Sequence, residues 1–185
     1  MDERIRFEFD GIVYSIISDN SVEVSRMNGK TKADVVIPSI VPFQECFYHV
    51  RRIGEMAFYG NDVLVTIILP DGVEEIGEAA FSCCSALISV NIPEGVKTIA
   101  YETFFGCESL SSLFIPDSVI CVEERALWYC RSLRTISIPK HLLGIEYPRI
   151  FPKRAMETGQ CRSLDNLEHC FVRDVSGVVG EFDVD

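Results

Sequence analysis

The sequence is short of positive charge. Lys and Arg number 17 against 28 Asp and Glu, a formal net charge of −11. Nucleic acid demands clustered cations that displace counterions, and anionic lipid demands the same. Neither partner is expected. The simplest consequence of the acidic surplus is solubility. Long apolar runs are also missing, since no stretch approaches the ~20 residues of a membrane helix. The opening "MDERIRFEFDGIVYSI" has no basic segment followed by an apolar core. No signal peptide is visible, so the chain as written reads as soluble, untargeted and cytoplasmic.

Catalytic signatures are absent as well. There is no GxSxG, no glycine loop that would cradle a phosphate and no HExxH. The three histidines, His49, His141 and His169, are far apart in the chain. His169 and Cys170 are adjacent, but neighbours on a strand face opposite sides and form no catalytic pair. No enzymatic activity, no cofactor and no metal site is expected. The single tryptophan, Trp128, falls on the outward side of its segment, where it either covers the surface or contacts a partner.

What the sequence does have is enough apolar material for a core. Of its 185 residues, 48% are hydrophobic and 24% charged, which suits one folded domain. It also has a period. Pro70, Pro93, Pro116 and Pro139 recur at steps of 23 residues. The same step links Ile53, Ile76, Ile99, Val122 and Ile145, and it links Phe58, Phe81, Phe104, Leu127 and Ile150. Leu64, Leu87, Leu110 and Leu133 keep the same phase, as do Ile67, Val90, Leu113 and Ile136. A fixed period of this length is the mark of stacked coils.

The unit reads LxxIxIPxxVxxIGxxAFxxC. In "TIILP" the alternation of period two turns Ile67 and Leu69 to one side of a strand. Proline ends the strand because it has no N–H for a ladder. "PDG" and "PEG" then make a corner, with Pro presetting φ and Gly easing the turn. Val73 and Ile76 mark a second inward-facing segment, and "EAAF" and "YETF" predict a short helical turn. One coil cannot hide its apolar residues, whereas stacked coils cover one another. Like positions should therefore form ladders about 4.8 Å apart.

The period predicts a single domain in three parts: a β-hairpin cap over 1–34, a solenoid of five to six coils over 35–170, and a C-terminal cap or tail over 171–185. Asp10-Gly11 and Asn28-Gly29 are the predicted hairpin turns of the cap. Pro38 precedes Pro70 by 32 residues, which places nine extra residues near 42–50. "CRSLDNL" echoes "CRSLRTI" at an offset of 31, which places eight more within 147–160.

These repeats resemble the BspA-type leucine-rich repeat family of bacteria. The match covers about residues 33–150 well, and 1–32 in style. The resemblance implies a right-handed solenoid with a parallel β-sheet on its concave face and short helical turns. It also implies binding to proteins, often at a cell surface, as adhesins or host-interaction factors. No catalytic motif comes with it. The chain departs from the pattern in places: the Gly of "IG" is kept at Gly54 and Gly77, but the later coils carry Ala100, Glu123 and Glu146.

On that fold the strands present two outward rows. The first is Thr66, Ser89, Ser112 and Thr135, with Asn166 as its extension. The second is Ile68, Asn91, Phe114 and Ser137, extended by Glu168. The hydroxyls form either a hydrogen-bonding ladder or a polar platform on which Ile68 and Phe114 anchor a partner. Of the eight cysteines, Cys84, Cys107 and Cys130 fall on one inward column and read as core, since each coil supplies one thiol and metal sites bring several together. The expected partner is a protein of unknown identity. Self-association, as a spacer or assembly unit using the apolar tail "FVRDVSGVVGEF", is the alternative, and a thiol redox or metal protein is the remotest reading.

Overall fold

The computed structural model describes residues 4–27, 32–142, 171–173 and 179–180. Two ladders of short parallel strands run through the repeats, one on each side of the proline corner. In the first, β4 (Asp34–Val36), β7 (Thr66–Ile68) and β9 (Ser89–Val90) pair in order. β11 (Ser112–Phe114) and β13 (Thr135–Ser137) pair in the same way in a separate sheet, with β11 packed beside β9. In the second, β6 (Cys46–Ile53) pairs β8 (Glu75–Ile76), and β10 (Thr98–Ile99) pairs β12 (Cys121–Val122). The register is that of the period: Thr66 faces Ser89, Ser112 faces Thr135 and Ile99 faces Val122.

The inward columns fill the space between the ladders. Phe58, Phe81 and Phe104 stand in file, with ring centroids 5.3 and 5.5 Å apart and planes within 7° and 4° of parallel. Around them Leu64, Leu87 and Leu110 are wholly buried, as are Val73, Val96 and Val119. Each such side chain contributes roughly 1.5–3 kcal/mol when it leaves water. A coil gains most of that only because its neighbours cover it.

The expected helical turns are not helices. Residues 54–61 are successive tight turns, with Ala57 N–H bonded to Gly54 O, Tyr59 N–H to Met56 O and Asn61 N–H to Phe58 O. The intervening N–H groups leave the coil. Met56, Phe58 and Gly60 donate to Glu78, Ala80 and Ser82 of the next coil at 3.0, 2.8 and 2.8 Å. An α-helix would use those same donors within the segment. Met56, Ala79, Glu102 and Arg125 also take φ of 50 to 61°, which no right-handed helix allows. The 3₁₀ turn at Lys140–Leu142 is the one helical element among the described residues.

The N-terminal region is more than a hairpin. β1 (Arg6–Phe9), β2 (Ile12–Ser18) and β3 (Ser21–Met27) form an antiparallel meander, and β3 then pairs in parallel with β6. Asp10 and Gly11, with φ of 50 and 79°, make the tight turn expected of them. Asn28-Gly29 lies outside the described residues, and the strands on either side, β3 and β4, belong to different sheets. The extra residues near 42–50 fold as a hairpin of β5 (Ile40–Phe43) and the start of β6. Phe43 of that hairpin stacks on Phe7 of β1 at 4.3 Å, which brings the two edges of the sheet together.

At the far end, β13 pairs in parallel with β14 (Phe171–Arg173), and β14 pairs antiparallel with β15 (Val179–Gly180). The "CRSLDNL" echo had pointed to Asn166 and Glu168 as the next rung. Phe171 and Arg173 take those places opposite Thr135 and Ser137, and Asn166 and Glu168 lie outside the described residues.

Candidate functional site

The outward side of the first ladder is built by alternation. Ile67, Val90, Leu113 and Ile136 point inward and are buried, so the residues on either side of them point out. Ile68 is 55% exposed and Phe114 52%, and one rung earlier Val36 continues their row at 66%. Ser89, Ser112 and Thr135 are exposed, while Thr66 and Ser137 are half-buried. The candidate positions thus fall at the same outward places of successive coils, Thr66, Ile68, Ser89 and Asn91 on or beside the sheet of β7 and β9, and Ser112, Phe114, Thr135 and Ser137 on the sheet of β11 and β13.

Their chemistry differs from position to position. Thr66 donates its hydroxyl to Asp34 at 2.5 Å, the residue opposite it in β4. Among the described residues, the hydroxyls of Ser89, Ser112 and Thr135 do not bond to one another, so the row is no continuous hydroxyl ladder. Asn91 is committed to the fold. Its Nδ2 donates to Leu69 O at 2.8 Å, and its Oδ1 accepts from Leu69 N–H at 2.7 Å. Two coils on, the equivalent bond runs from Ile115 N–H to the main-chain oxygen of Ser137. The Asn91 amide replaces one rung of the ladder. A lone asparagine among Ile, Phe and Ser in that row was the only sequence signal for it.

Two other surfaces stand out. On the turn side, the Arg125 guanidinium lies 5.7, 5.0 and 4.9 Å from the ring centroids of Tyr101, Phe105 and Trp128. Its Nη1 meets Glu102 Oε1 and the Tyr101 hydroxyl, both at 2.7 Å. Trp128 is therefore half-buried in an aromatic cage that the protein fills with its own cation. On the N-terminal hairpin, Phe47 is 72% exposed.

The cysteine column behaves as core. Cys84, Cys107 and Cys130 are buried, and each thiol donates to the carbonyl of the phenylalanine one coil back. Cys46 and Cys121 are exposed. Among the described residues no group of three or more His, Cys, Asp or Glu could hold a metal ion. His141 Nε2 lies 2.7 Å from Val119 O, and His49 sits on β6. Among those residues, too, no helix is long and apolar enough to cross a membrane.

Stacked 23-residue coils with parallel ladders define a leucine-rich repeat protein. Residues 43–153 match the family model of the BspA type leucine rich repeat region in six copies, and the chain belongs to that family. Solved structures agree. A leucine-rich cell surface protein of Faecalibacterium prausnitzii is 29% identical, with a TM-score of 0.65 over 76% of this chain and 38% of its own. The leucine-rich repeat protein of T. pallidum is 28% identical, with a TM-score of 0.65 over 74% of this chain and 62% of its own. One from Bacteroides ovatus is 28% identical, with a TM-score of 0.58 over 71% and 47%. The chain thus spans less than two thirds of the length of each of these relatives. No curated protein matches it. Leucine-rich repeat proteins are typically non-enzymatic modules for protein–protein interaction.

Proposed function

We propose that the chain is a non-catalytic binding module that takes a protein partner on the outward face of its first strand ladder. The observation that carries this is the exposure of Ile68 and Phe114, large apolar side chains at the same outward position of the parallel strands β7 and β11, two coils apart. Single exposed apolar residues are ordinary, but aligned ones on one face mark interaction surfaces. Serine and threonine hydroxyls beside them supply adaptable hydrogen bonds. In this reading the winding is right-handed, the ladder lines the concave face, and the module serves at a cell surface as its Faecalibacterium relative's description suggests.

The test is capture of partners from host-cell and bacterial lysates by the whole chain and by Ile68→Glu, Phe114→Glu and Phe47→Glu. Loss with the first two and not the third supports the reading. Equal capture by Ile68→Glu, Phe114→Glu and wild type refutes it, and loss only with Phe47→Glu moves the site to the hairpin.

A further inference from the structure

The charges that border this face constrain the partner, on the reading that the face binds a polypeptide. Each strand of the ladder runs into the same four-residue turn. Val73 N–H bonds Pro70 O at 3.0 Å, Val96 N–H bonds Pro93 O at 3.0 Å, and Val119 N–H bonds Pro116 O at 3.1 Å. The turn fixes its second residue three positions beyond the outward row. Those residues are Asp71, Glu94 and Asp117, and all are exposed. The 23-residue step gives them the same place in successive coils, and neighbouring strands lie about 4.8 Å apart, well inside the screening length of about 8 Å at physiological salt.

Charge is handled differently elsewhere in the molecule. Across the N-terminal part of the second ladder the sign alternates rung by rung: Arg4 meets Glu23 at 2.9 Å, Arg52 lies 3.7 Å from Glu23, and Arg52 meets Glu75 at 2.8 Å. On the turn side Glu102 pairs with Arg125 at 2.7 Å and Glu108 with Arg131 at 3.5 Å. Asp71, Glu94 and Asp117 have no ion pair among the described residues. Like charges held within a screening length of one another repel. An acidic border left uncompensated beside the row that carries Ile68 and Phe114 is what a cationic partner would relieve. The fourth turn carries Lys140, so the acidic border belongs to the first three coils. A second copy of this chain, at net −11, is a poor match for it.

We infer that the partner of this face is a basic amphipathic polypeptide segment. Its Lys or Arg residues meet Asp71, Glu94 and Asp117, while its apolar side chains cover Ile68 and Phe114. Opposite charge speeds the encounter and fixes the register, and the two apolar anchors hold the complex once formed.

The experiment uses the whole chain and fluorescein-labelled peptides of about twelve residues, long enough in extended form to cross the ladder. One alternates Lys and Val, a second Glu and Val, a third Lys and Ser. Anisotropy is read for wild type, for D71N/E94Q/D117N and for I68S/F114S, with melting curves confirming that both variants fold. Saturable binding of the Lys–Val peptide is expected. It should weaken about tenfold in the triple variant and again in salt of about 0.5 M. It should weaken about tenfold in the double variant. Equal affinity of the triple variant and wild type overturns the inference, as does equal binding of the Lys–Val peptide and either control. Binding of the Glu–Val peptide that the double variant abolishes leaves the face as a docking site and removes only the basic assignment. Indifference of every peptide to the double variant removes the face itself.

Discussion

The Cys107 thiol donates a hydrogen bond to the Phe81 carbonyl, one coil back, at 3.2 Å. Cys84 repeats it on Phe58 at 3.1 Å, and Cys130 on Phe104 at 3.2 Å. The thiols are thus tied to the main chain of the phenylalanine file. Reactivity follows the thiolate and its access to solvent. With a thiol-alkylating reagent near pH 8, Cys46 and Cys121 of the native protein should label. Cys84, Cys107 and Cys130 should label only after unfolding. Peptide mass spectrometry reads each site separately, and labelling of native Cys107 at the rate of Cys46 would contradict the buried ladder.

Burial also sets a pH limit. It pushes Cys84 and Cys130 up to about 12, and Cys107 well above its ordinary 9.0, where neighbouring thiols add to the shift. In the unfolded chain these groups lose their protons near 9.0. Between that value and about 12 the folded chain holds protons that the unfolded chain has released. Stability is therefore complete below about pH 9 and falls as pH rises, by at most about 1.4 kcal/mol per thiol per pH unit. Tyr14 is shifted in the same direction, first by burial and then by the Asp10 charge. Melting temperature should fall above pH 9, and Cys84→Ala with Cys130→Ala should flatten that fall. A fall equally steep in the double variant would assign it to other groups.

The phenylalanine file predicts an unequal pair of substitutions. Phe81 stacks on both Phe58 and Phe104 and is wholly buried. Phe81→Ala leaves a cavity between coils and should cost about 3–5 kcal/mol. Phe81→Leu should cost far less, about 1–1.5 kcal/mol, because the same column already accepts Leu127. Denaturant midpoints measure both. Each coil touches mainly its neighbours, so hydrogen exchange should quicken most around residues 58–104.

The inward columns were legible in the sequence because burial imposes one chemistry on every coil. Four prolines and five aligned columns sufficed for the ladders, their register and the two outward rows. The turn side was not legible. "EAAF" carries good helix formers, yet every second N–H there serves the next coil, and no local pattern announces a partner 22 residues away. The Arg125 cage was hidden for a similar reason, since Tyr101, Phe105 and Trp128 converge only once coils stack. The echo "CRSLDNL" misplaced the last rung because an insertion breaks the phase that made the other rungs readable. Glycine was also given the wrong task at one corner. A Cβ on Gly95 would stand 2.6 Å from Val73 O, so the residue is small to let coils approach, and its φ is not positive.

Asn91 offers a test of the side chain that replaces a rung. Both of its amide atoms bond Leu69, as donor and as acceptor. Asn91→Asp keeps the shape and loses the donor, setting a carboxylate against the Leu69 carbonyl. It should cost about 1–3 kcal/mol. Asn91→Ser, the residue type at the equivalent Ser137, should cost less if the main chain closes the rung itself, as it does from Ile115 to Ser137. Equal and negligible losses for both variants would mean that the amide adds nothing.

The tight turns on the opposite side hold residues in a left-handed backbone at matching places in successive coils. One column is Met56, Ala79, Glu102 and Arg125, and the next is Gly60, Cys83, Gly106 and Tyr129, all with φ between 50 and 70°. Glycine reaches that region without a Cβ penalty, while other residues are disfavoured there by roughly 1–2 kcal/mol. Ala79 contributes only a methyl group, so little packing is lost when it is removed. Ala79→Gly should therefore raise stability by about 0.5–1 kcal/mol, the residual after the added freedom of the unfolded chain is subtracted. Gly60→Ala should lower it by a similar amount. A Cβ there would meet nothing within 4 Å, so backbone strain is the only cost. Opposite shifts in melting temperature for this pair are the expected result. A destabilised Ala79→Gly would mean that the turn geometry, rather than the residue in it, carries the strain.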